Sequence, residues 1–314
     1  MISYICILTN LIFQEIYMEI KYDNQSDKWE ECITNKKRNV FSKRWLRKDT
    51  LDYWRHKRML DPIKSFIVKN DSWLTIGDGR YGTEANFLIK NGLNAHATDL
   101  SDKLLKIGYE IGFINTFSQE NAEELSFDDE SFDYVLIKEA LHHFPRPWIA
   151  LNEAFRVWRK GVIIIEPNDQ LSDGFNLFKR LVYLLKKISH KNVNISDYNF
   201  EEVGNFIYTV NLREIEKFML GMHYRNIAYL RMNDFYFKGV EEVYILNPDT
   251  KDWILQNCLK LIILIKDLLC NLNLSRHSLI TIAMLKDAPG KKTIREMKSH
   301  NWILKKLPKN PYIK

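Results

Sequence analysis

The sequence predicts an α/β protein with a doubly wound, mainly parallel sheet of seven strands and helical insertions. Three observations lead there. From residue 50 onward, short apolar runs alternate with stretches of helical periodicity, the mark of right-handed βαβ crossovers. Hydrophobic residues make up 46% of the 314 positions and charged residues 27%, a balance that supports a sizeable core and excludes wholesale disorder, collagen and coiled coil. The eight prolines and twelve glycines are spread as punctuation, with no repeat and no low-complexity linker, so any domain cuts are soft.

The elements follow in order. Leu51 to Val68 reads as a helix, Trp73 to Ile76 as a strand, Thr83 to Lys90 as a helix, Asn94 to Thr98 as a strand and Asp102 to Ile111 as a helix. Strands recur over Thr116 to Gln119, Phe132 to Ile137 and Val162 to Ile165. After Glu166 the rhythm changes. Asp173 to Ser189 reads as a basic amphipathic helix, Leu212 to Leu220 as another, Tyr224 to Leu230 as a strand, Asp252 to Leu272 as a long oily helix and Leu279 to Leu285 as a last strand. The two late strands are expected to complete the same sheet, leaving residues 170–210 and 234–275 as insertions over its carboxyl edge, where open α/β sheets bind ligands. The leucines and isoleucines between Ile254 and Leu269 are expected to fill core. The expected division is a basic extension over 1–49, a ligand-binding core over 50–169, sheet completion with lid or substrate insertions over 170–288, and a basic tail over 289–314.

Charge and the chain ends narrow the classes further. The net charge of +6 is a mild excess and does not in itself imply nucleic acid. Its distribution is uneven: ten Lys or Arg stand against two acids between Lys36 and Arg58, and the stretch from Lys291 to Lys314 is also basic. Both read first as solvated, partly mobile terminal segments, with an anionic surface such as phospholipid or RNA as the alternative. Trp45, Tyr53 and Trp54 within the first of these suit a cover over a bound ligand better than a stack for nucleobases. The apolar opening, Met1 to Phe13, has no preceding Lys or Arg and is shorter than the ~20 residues a bilayer requires. Met18 offers an alternative start that would leave residues 1–17 outside the native chain and keep every later motif. Cys6, Cys32, Cys258 and Cys270 are scattered, so neither a zinc site nor a disulfide framework is written here and a reducing cytoplasm fits. No metal-ligand spacing is present, and no specific protein partner is indicated.

The residues that carry chemistry begin with Gly77-Asp78-Gly79-Arg80-Tyr81-Gly82, directly after one strand and directly before a helix. Glycines there let the backbone turn sharply and approach a ligand, while the helix amino terminus offers N–H donors. Asp99 ends the next strand, 22 residues after Gly77, where a carboxylate can accept both hydroxyls of an adenosine ribose. An NAD enzyme and an S-adenosylmethionine enzyme share these features. A carboxylate at position 78 would repel a pyrophosphate but suit the ammonium and sulfonium of the methyl donor, and Arg80 weakens that distinction.

A second block reads Asn121-Ala122-Glu123-Glu124-Leu125-Ser126-Phe127, then Ser131-Phe132-Asp133, then Leu141-His142-His143-Phe144-Pro145-Arg146-Pro147. With Ile76 to Gly82 and Asp99, this order of motifs resembles class I S-adenosylmethionine-dependent methyltransferases, especially the group of quinone-pathway and small-molecule enzymes. The resemblance covers about residues 50–168 and, more weakly, 205–285. It implies a Rossmann-like fold, S-adenosylmethionine as cofactor, and a site in which Gly77, Asp78, Gly79 and Gly82 line the methionine end, Asp99 the ribose, Leu100 the ring, and Asn121 with Ala122 the adenine edge. Three departures stand out: Thr75 where the family has an acid, Asn121 where it has an aspartate, and a glycine loop one residue longer. The run from Trp73 to Thr83, with Ile165-Glu166-Pro167-Asn168-Asp169, also resembles a subgroup met in surface-polysaccharide and lipid-linked sugar pathways.

The resemblance implies in-line displacement at the sulfonium methyl, so positioning and desolvation supply most of the rate. A sugar hydroxyl also needs a base. His142 or His143, after the fourth strand, is expected in that role, with Glu166 at the end of the fifth as a further catalytic candidate and Lys138 beside them binding cofactor or acceptor. The expected function is transfer of methyl to a small-molecule or lipid-linked glycan acceptor in the cytoplasm, with peripheral contact at the inner membrane face left open. The alternatives are an RNA methyltransferase using the basic amino-terminal segment, a non-catalytic S-adenosylmethionine-binding protein, and, least favoured, an NAD-dependent reductase.

Overall fold

The computed structural model describes residues 31–169, 207–245 and 251–312. The basic helix expected over Asp173 to Ser189 and the apolar opening fall outside the described residues.

Five parallel strands form one half of the sheet: β1 (Ser72–Ile76), β2 (Asn94–Asp99), β3 (Phe117–Gln119), β4 (Phe132–Lys138) and β5 (Trp158–Pro167). The other half holds β6 (Asn226–Met232), β7 (Leu279–Leu285) and β8 (Ile303–Lys306), giving the order β3-β2-β1-β4-β5-β7-β6-β8. Only β7 and β8 run antiparallel to the rest. The expected α/β doubly wound fold is therefore present with eight strands rather than seven.

Alternation along each strand divides the core into two layers. Leu74 and Ile76 of β1, Val135 and Ile137 of β4, and Ile280, Ile282 and Met284 of β7 face α5 (Pro147–Val157) and α6 (Leu212–Gly221). Their neighbours Trp73, Tyr134, Leu136 and Ala283 face α3 (Thr83–Lys90), α4 (Lys103–Glu110) and the carboxyl end of α2 (Leu51–Leu60). Local chemistry fixes the helix ends: Thr50 caps α2 by accepting from Tyr53 N–H at 3.1 Å, Asn211 caps α6 through Arg213 N–H at 2.8 Å, and Pro147 stands in the first turn of α5. The helix expected to reach Val68 stops at Leu60, where Pro62 turns the chain into a 3₁₀ segment over Asp61–Phe66.

Two expectations change. The basic tail is not a solvated appendage: Lys291–Ser299 forms α8 and leads into β8, and Met297, Trp302 and Leu307 are buried. Trp302 stands edge-on to Phe66 and donates from its indole Nε1 to Pro62 O at 3.2 Å, which ties the end of the sheet to the start of the fold. The long helix α7 (Lys251–Asn271) is not core. It buries only Gln256, Leu259, Ile263 and Cys270, and Leu264 is 64% exposed. The reason is geometric, because α7 lies on the outside and packs through one narrow stripe, in which Leu259 and Ile263 meet Leu51, Val240 and Val243. No described helix is long and apolar enough to cross a membrane.

Replacing Trp302 by Ala should cost about 3–5 kcal/mol of stability, read as a lowered midpoint in denaturant unfolding.

Candidate functional site

Strand order reverses on either side of β1, since β2 leads away toward β3 and β4 leads the other way, so the carboxyl ends of β1 and β4 open a crevice between them. A cavity of about 600 Å³ fills it.

The glycine loop divides its work. Gly77 sits at φ +76° on the cavity wall, and a Cβ there would lie 2.4 Å from the Cβ of Ala140, so no other residue lets the loops after β1 and β4 meet. Gly82 is also left-handed, at φ +78°, but it starts α3 and would drive a Cβ into Ile114 at 2.6 Å. Neither Gly79 nor Gly82 lines the cavity; the Gly79 N–H instead donates to the Asp99 carboxylate. Asp78 departs furthest from expectation. Its buried carboxylate accepts from Thr75 Oγ1 at 2.9 Å, Ala85 N–H at 2.9 Å and Glu84 N–H at 3.2 Å, and it does not face the cavity. The first turn of α3 needs an acceptor that Gly82, lacking a side chain, cannot supply, and Asp78 fills the vacancy. Burial and the neighbouring Glu84 carboxylate raise the Asp78 pKa well above the usual range. The polar side chain at 75 is consumed by the same cap.

Asp99 lines the cavity with Leu100, Asn121 and Ala122. Burial pushes its pKa up to about 6, against the pull of backbone N–H groups from Ser101, Gly79 and Leu100. Asn121 turns its side-chain carbonyl to Glu123 N–H at 3.0 Å, which leaves the second lone pair and the amide donors for a ligand edge.

Across the cavity, the turn after β4 carries His142 and His143, both lining it, with ring centroids 3.9 Å apart. His142 Nδ1 lies 2.6 Å from Glu166 Oε2, while Glu166 Oε1 accepts from Ala140 N–H at 3.0 Å and Leu141 N–H at 2.9 Å. Glu166 is fully buried and does not line the cavity, so it positions His142 rather than touching a ligand. This bond holds the ring in place with Nδ1 turned to the carboxylate and Nε2 on the opposite side of the ring.

The third wall comes from the amino-terminal side. Phe41 of α1 (Lys36–Ser42), Trp45 of the following 3₁₀ turn, and Asp52, Arg55 and His56 of α2 close over the crevice, joined by Asp234 and Tyr236 after β6. Tyr81 does not reach the cavity; it is buried, with its hydroxyl 2.9 Å from Ser42 Oγ. Lys138 anchors the cover: its Nζ contacts His56 Nδ1 at 2.6 Å, Glu139 Oε2 at 2.9 Å and Glu84 Oε1 at 3.2 Å. Burial opposes the charge on Lys138, but Glu139 and Glu84 outweigh it and raise its pKa. Burial likewise works against Glu84 ionising, and Lys138 still holds its carboxyl down to about 2. His56, Arg55 and Asp234 were not among the residues singled out by sequence. Asp52, Arg55 and His56 share one face of α2 at i, i+3 and i+4, a polar stripe that resembles an ordinary solvated face until its partners are seen.

Residues 74–165 match the family described as a methyltransferase domain. This segment is a methyltransferase domain. Its methyl donor is S-adenosylmethionine. An uncharacterised protein of Methanocaldococcus jannaschii is 27% identical over 191 residues, covering 52% of this chain and 87% of that protein. The ubiquinone/menaquinone biosynthesis C-methyltransferase UbiE of Rhizobium etli is 38% identical over 79 residues, 23% of this chain and 31% of that enzyme, so the match spans about a third of its length. Among solved structures, phosphoethanolamine N-methyltransferase 2 of Haemonchus contortus in complex with S-adenosylmethionine is similar at 21% identity and a TM-score of 0.46, covering 74% of this chain and 53% of that one. The methyltransferase domain thus contains the glycine loop, Asp99, Asn121, Lys138 and His142, while the cover over Lys36–Arg58 lies outside the matched segment.

Gly77→Ala combines a left-handed φ with a steric overlap. It should destabilise the fold by about 2 kcal/mol or more and weaken binding of S-adenosylhomocysteine at least tenfold, read by thermal unfolding and calorimetry.

Proposed function

We propose that the protein is an S-adenosylmethionine-dependent methyltransferase whose acceptor is a sugar hydroxyl on a small or lipid-linked glycan, of the type used in surface-polysaccharide biosynthesis. The observation that carries this reading is the His142–Glu166 pair in the same cavity as Gly77 and Asp99. A sugar hydroxyl becomes a competent nucleophile only as its proton leaves, and an imidazole with its lone pair on Nε2 is suited to take it. Glu166 then stabilises the imidazolium that forms, through the hydrogen bond already in place.

The cavity also suits the donor. The close approach of Gly77 to Ala140 leaves a backbone surface without side chains for the methionine end, Asp99 accepts the ribose hydroxyls, and Leu100, Asn121 and Ala122 form the adenine edge. Lys138, held between Glu139 and Glu84, fixes the wall beside the methionine end. The donor supplies an electrophilic methyl on sulfur, and the chain's own task is to align the acceptor, exclude water and receive one proton. Phe41 and Trp45 contribute to water exclusion. Trp45 lies under the Arg80 guanidinium at 4.9 Å and faces the cavity, an arrangement that favours a cover over a small ligand rather than a platform for RNA. The same reading places the reaction in the cytoplasm, at the inner membrane face when the acceptor is lipid-linked.

The test is methyl transfer from labelled donor to nucleotide sugars, lipid-linked glycans, a demethylated quinone and total RNA in parallel. Transfer to a glycan upholds the reading; transfer confined to the quinone or to RNA overturns it. His142→Ala should lower kcat on the true acceptor by about 10²–10⁴ and leave donor affinity unchanged, measured by steady-state kinetics and calorimetry. Donor affinity should also depend on pH through Asp99. Its carboxyl is protonated below about 6, so binding should weaken about tenfold per unit as pH falls under that value and level off above it, with Asp99→Asn flattening the profile.

A further inference from the structure

Behind the wall made by Trp45, His56 and Arg80 lies a second, smaller cavity of about 150 Å³, lined by the start of α2, the outer face of α3 and Phe113. Seven Lys and Arg side chains line it against two carboxylates, Asp52 and Glu84. Both carboxylates are spent on its far side, Asp52 on Arg55 and His56, and Glu84 on Lys138. Five of the seven cations have partners of their own. Arg44 pairs with Glu242, Arg47 with Asp49, Lys57 and Lys64 share Asp61, and Arg80 lies over Trp45 beside His56.

Lys48 and Lys90 remain. Among the described residues neither meets a carboxylate within ion-pair distance, and both line this one cleft. The Lys90 ammonium donates to the Asn86 side-chain carbonyl and lies over the Phe113 ring at 5.1 Å. Burial, and then Lys48, bring its pKa down to about 8. Like charges held together in a concave, partly apolar site cost free energy that an anion between them would remove. Phe87, Phe113 and Tyr53 flank the two lysines, so the cleft offers a charged end and an apolar wall.

We propose that this cleft is a binding site for a phosphate or diphosphate group, held by Lys48 and Lys90. Two point charges on flexible stems suit the tetrahedral oxygens of phosphoryl groups. The cleft shares Trp45, Asp52, His56, Arg80 and Glu84 with the larger cavity, so its occupant would brace the wall on which the methyl-donor cavity is built. The inference stands on the cleft's own charge and does not require the acceptor to be a sugar.

The experiment titrates inorganic pyrophosphate into the full chain by calorimetry at low salt, beside Lys48→Ala, Lys90→Ala, the double variant and Lys48→Arg. The expected result is saturable binding, at least tenfold weaker in each alanine variant, retained in Lys48→Arg, and accompanied by an upward move of the Lys90 titration from about 8. Melting temperatures and S-adenosylhomocysteine affinity unchanged in the variants show that the fold and the larger cavity are intact. Competition arms separate the sources. Displacement by a nucleotide sugar or by a polyprenyl diphosphate sugar assigns the group to an acceptor, and displacement only by free phosphate or pyrophosphate assigns it to a free ligand; either upholds the site. No saturable binding, binding equal in the double variant, or a preference for an RNA oligomer over pyrophosphate overturns it.

Discussion

A single buried carboxylate holds the active face together. Glu166 has no exposed surface, and its two oxygens take three hydrogen bonds from three consecutive residues after β4. Such a group is costly to bury and costlier to leave unpaired, so the turn has essentially one arrangement in which the end of β5 is stable. Ala140, fixed in that turn, meets Gly77 from the other side, and the loop that begins at Gly77 sends the Gly79 N–H to Asp99. The chain of constraint therefore runs from β5 through β4 and β1 to β2, linking the imidazole at one end of the cavity to the carboxylate at the other. Rigidity of this kind is what an in-line transfer needs, because the reaction depends more on alignment than on covalent chemistry supplied by the protein.

A second set of charges performs the corresponding task for the cover. Lys138 is almost fully buried at the end of β4 and draws together Glu84 from α3, Glu139 from the turn just after the strand and His56 from α2. Asp52 and Arg55 extend the set to Asp234 beyond β6. The amino-terminal segment is thus tied electrostatically to the domain it covers, while Leu51 and Trp54 add apolar contact beneath α7. Buried networks of this type contribute more to uniqueness than to net stability, since desolvation offsets much of the attraction. Here they define one closed shape for the cavity.

Much of this was readable in the residues. The central strands announce themselves because fully buried parallel strands are continuous apolar runs, and the bounds of α3 and β7 fall where periodicity and glycine place them. Gly77 and Asp99 were legible for the same reason, as each sits at the end of such a run. What a carboxylate does inside the loop was not legible. Asp78 is directed inward by an unmet need of the helix behind it, and that need is visible only once Gly82 is known to occupy the cap. Glu166 was seen as a strand-end acid, but its direction depends on which way the residue points from β5, a question of register with β7. The basic tail misled because α8 and β8 are amphipathic with few buried residues, so composition outweighed pattern. In α7 the apolar content was plain, while its location outside the layers was set by the cover it rests on.

The position of β7 carries a consequence for how the chain comes to be folded. It is the last of the long strands in sequence, yet it stands between β5 and β6 in the sheet. A nascent chain that has already emitted β1 to β5 must hold the outer edge of β5 open until residues 279–285 leave the ribosome, with β6 waiting unpaired beside it. Contacts of such long sequence separation close slowly, and the exposed edge of Val162, Ile163, Ile164 and Ile165 is a template for wrong partners in the interval. Translation speed through the second half of the message and the supply of chaperones would then set the yield of native protein more than the strength of any contact in the finished fold.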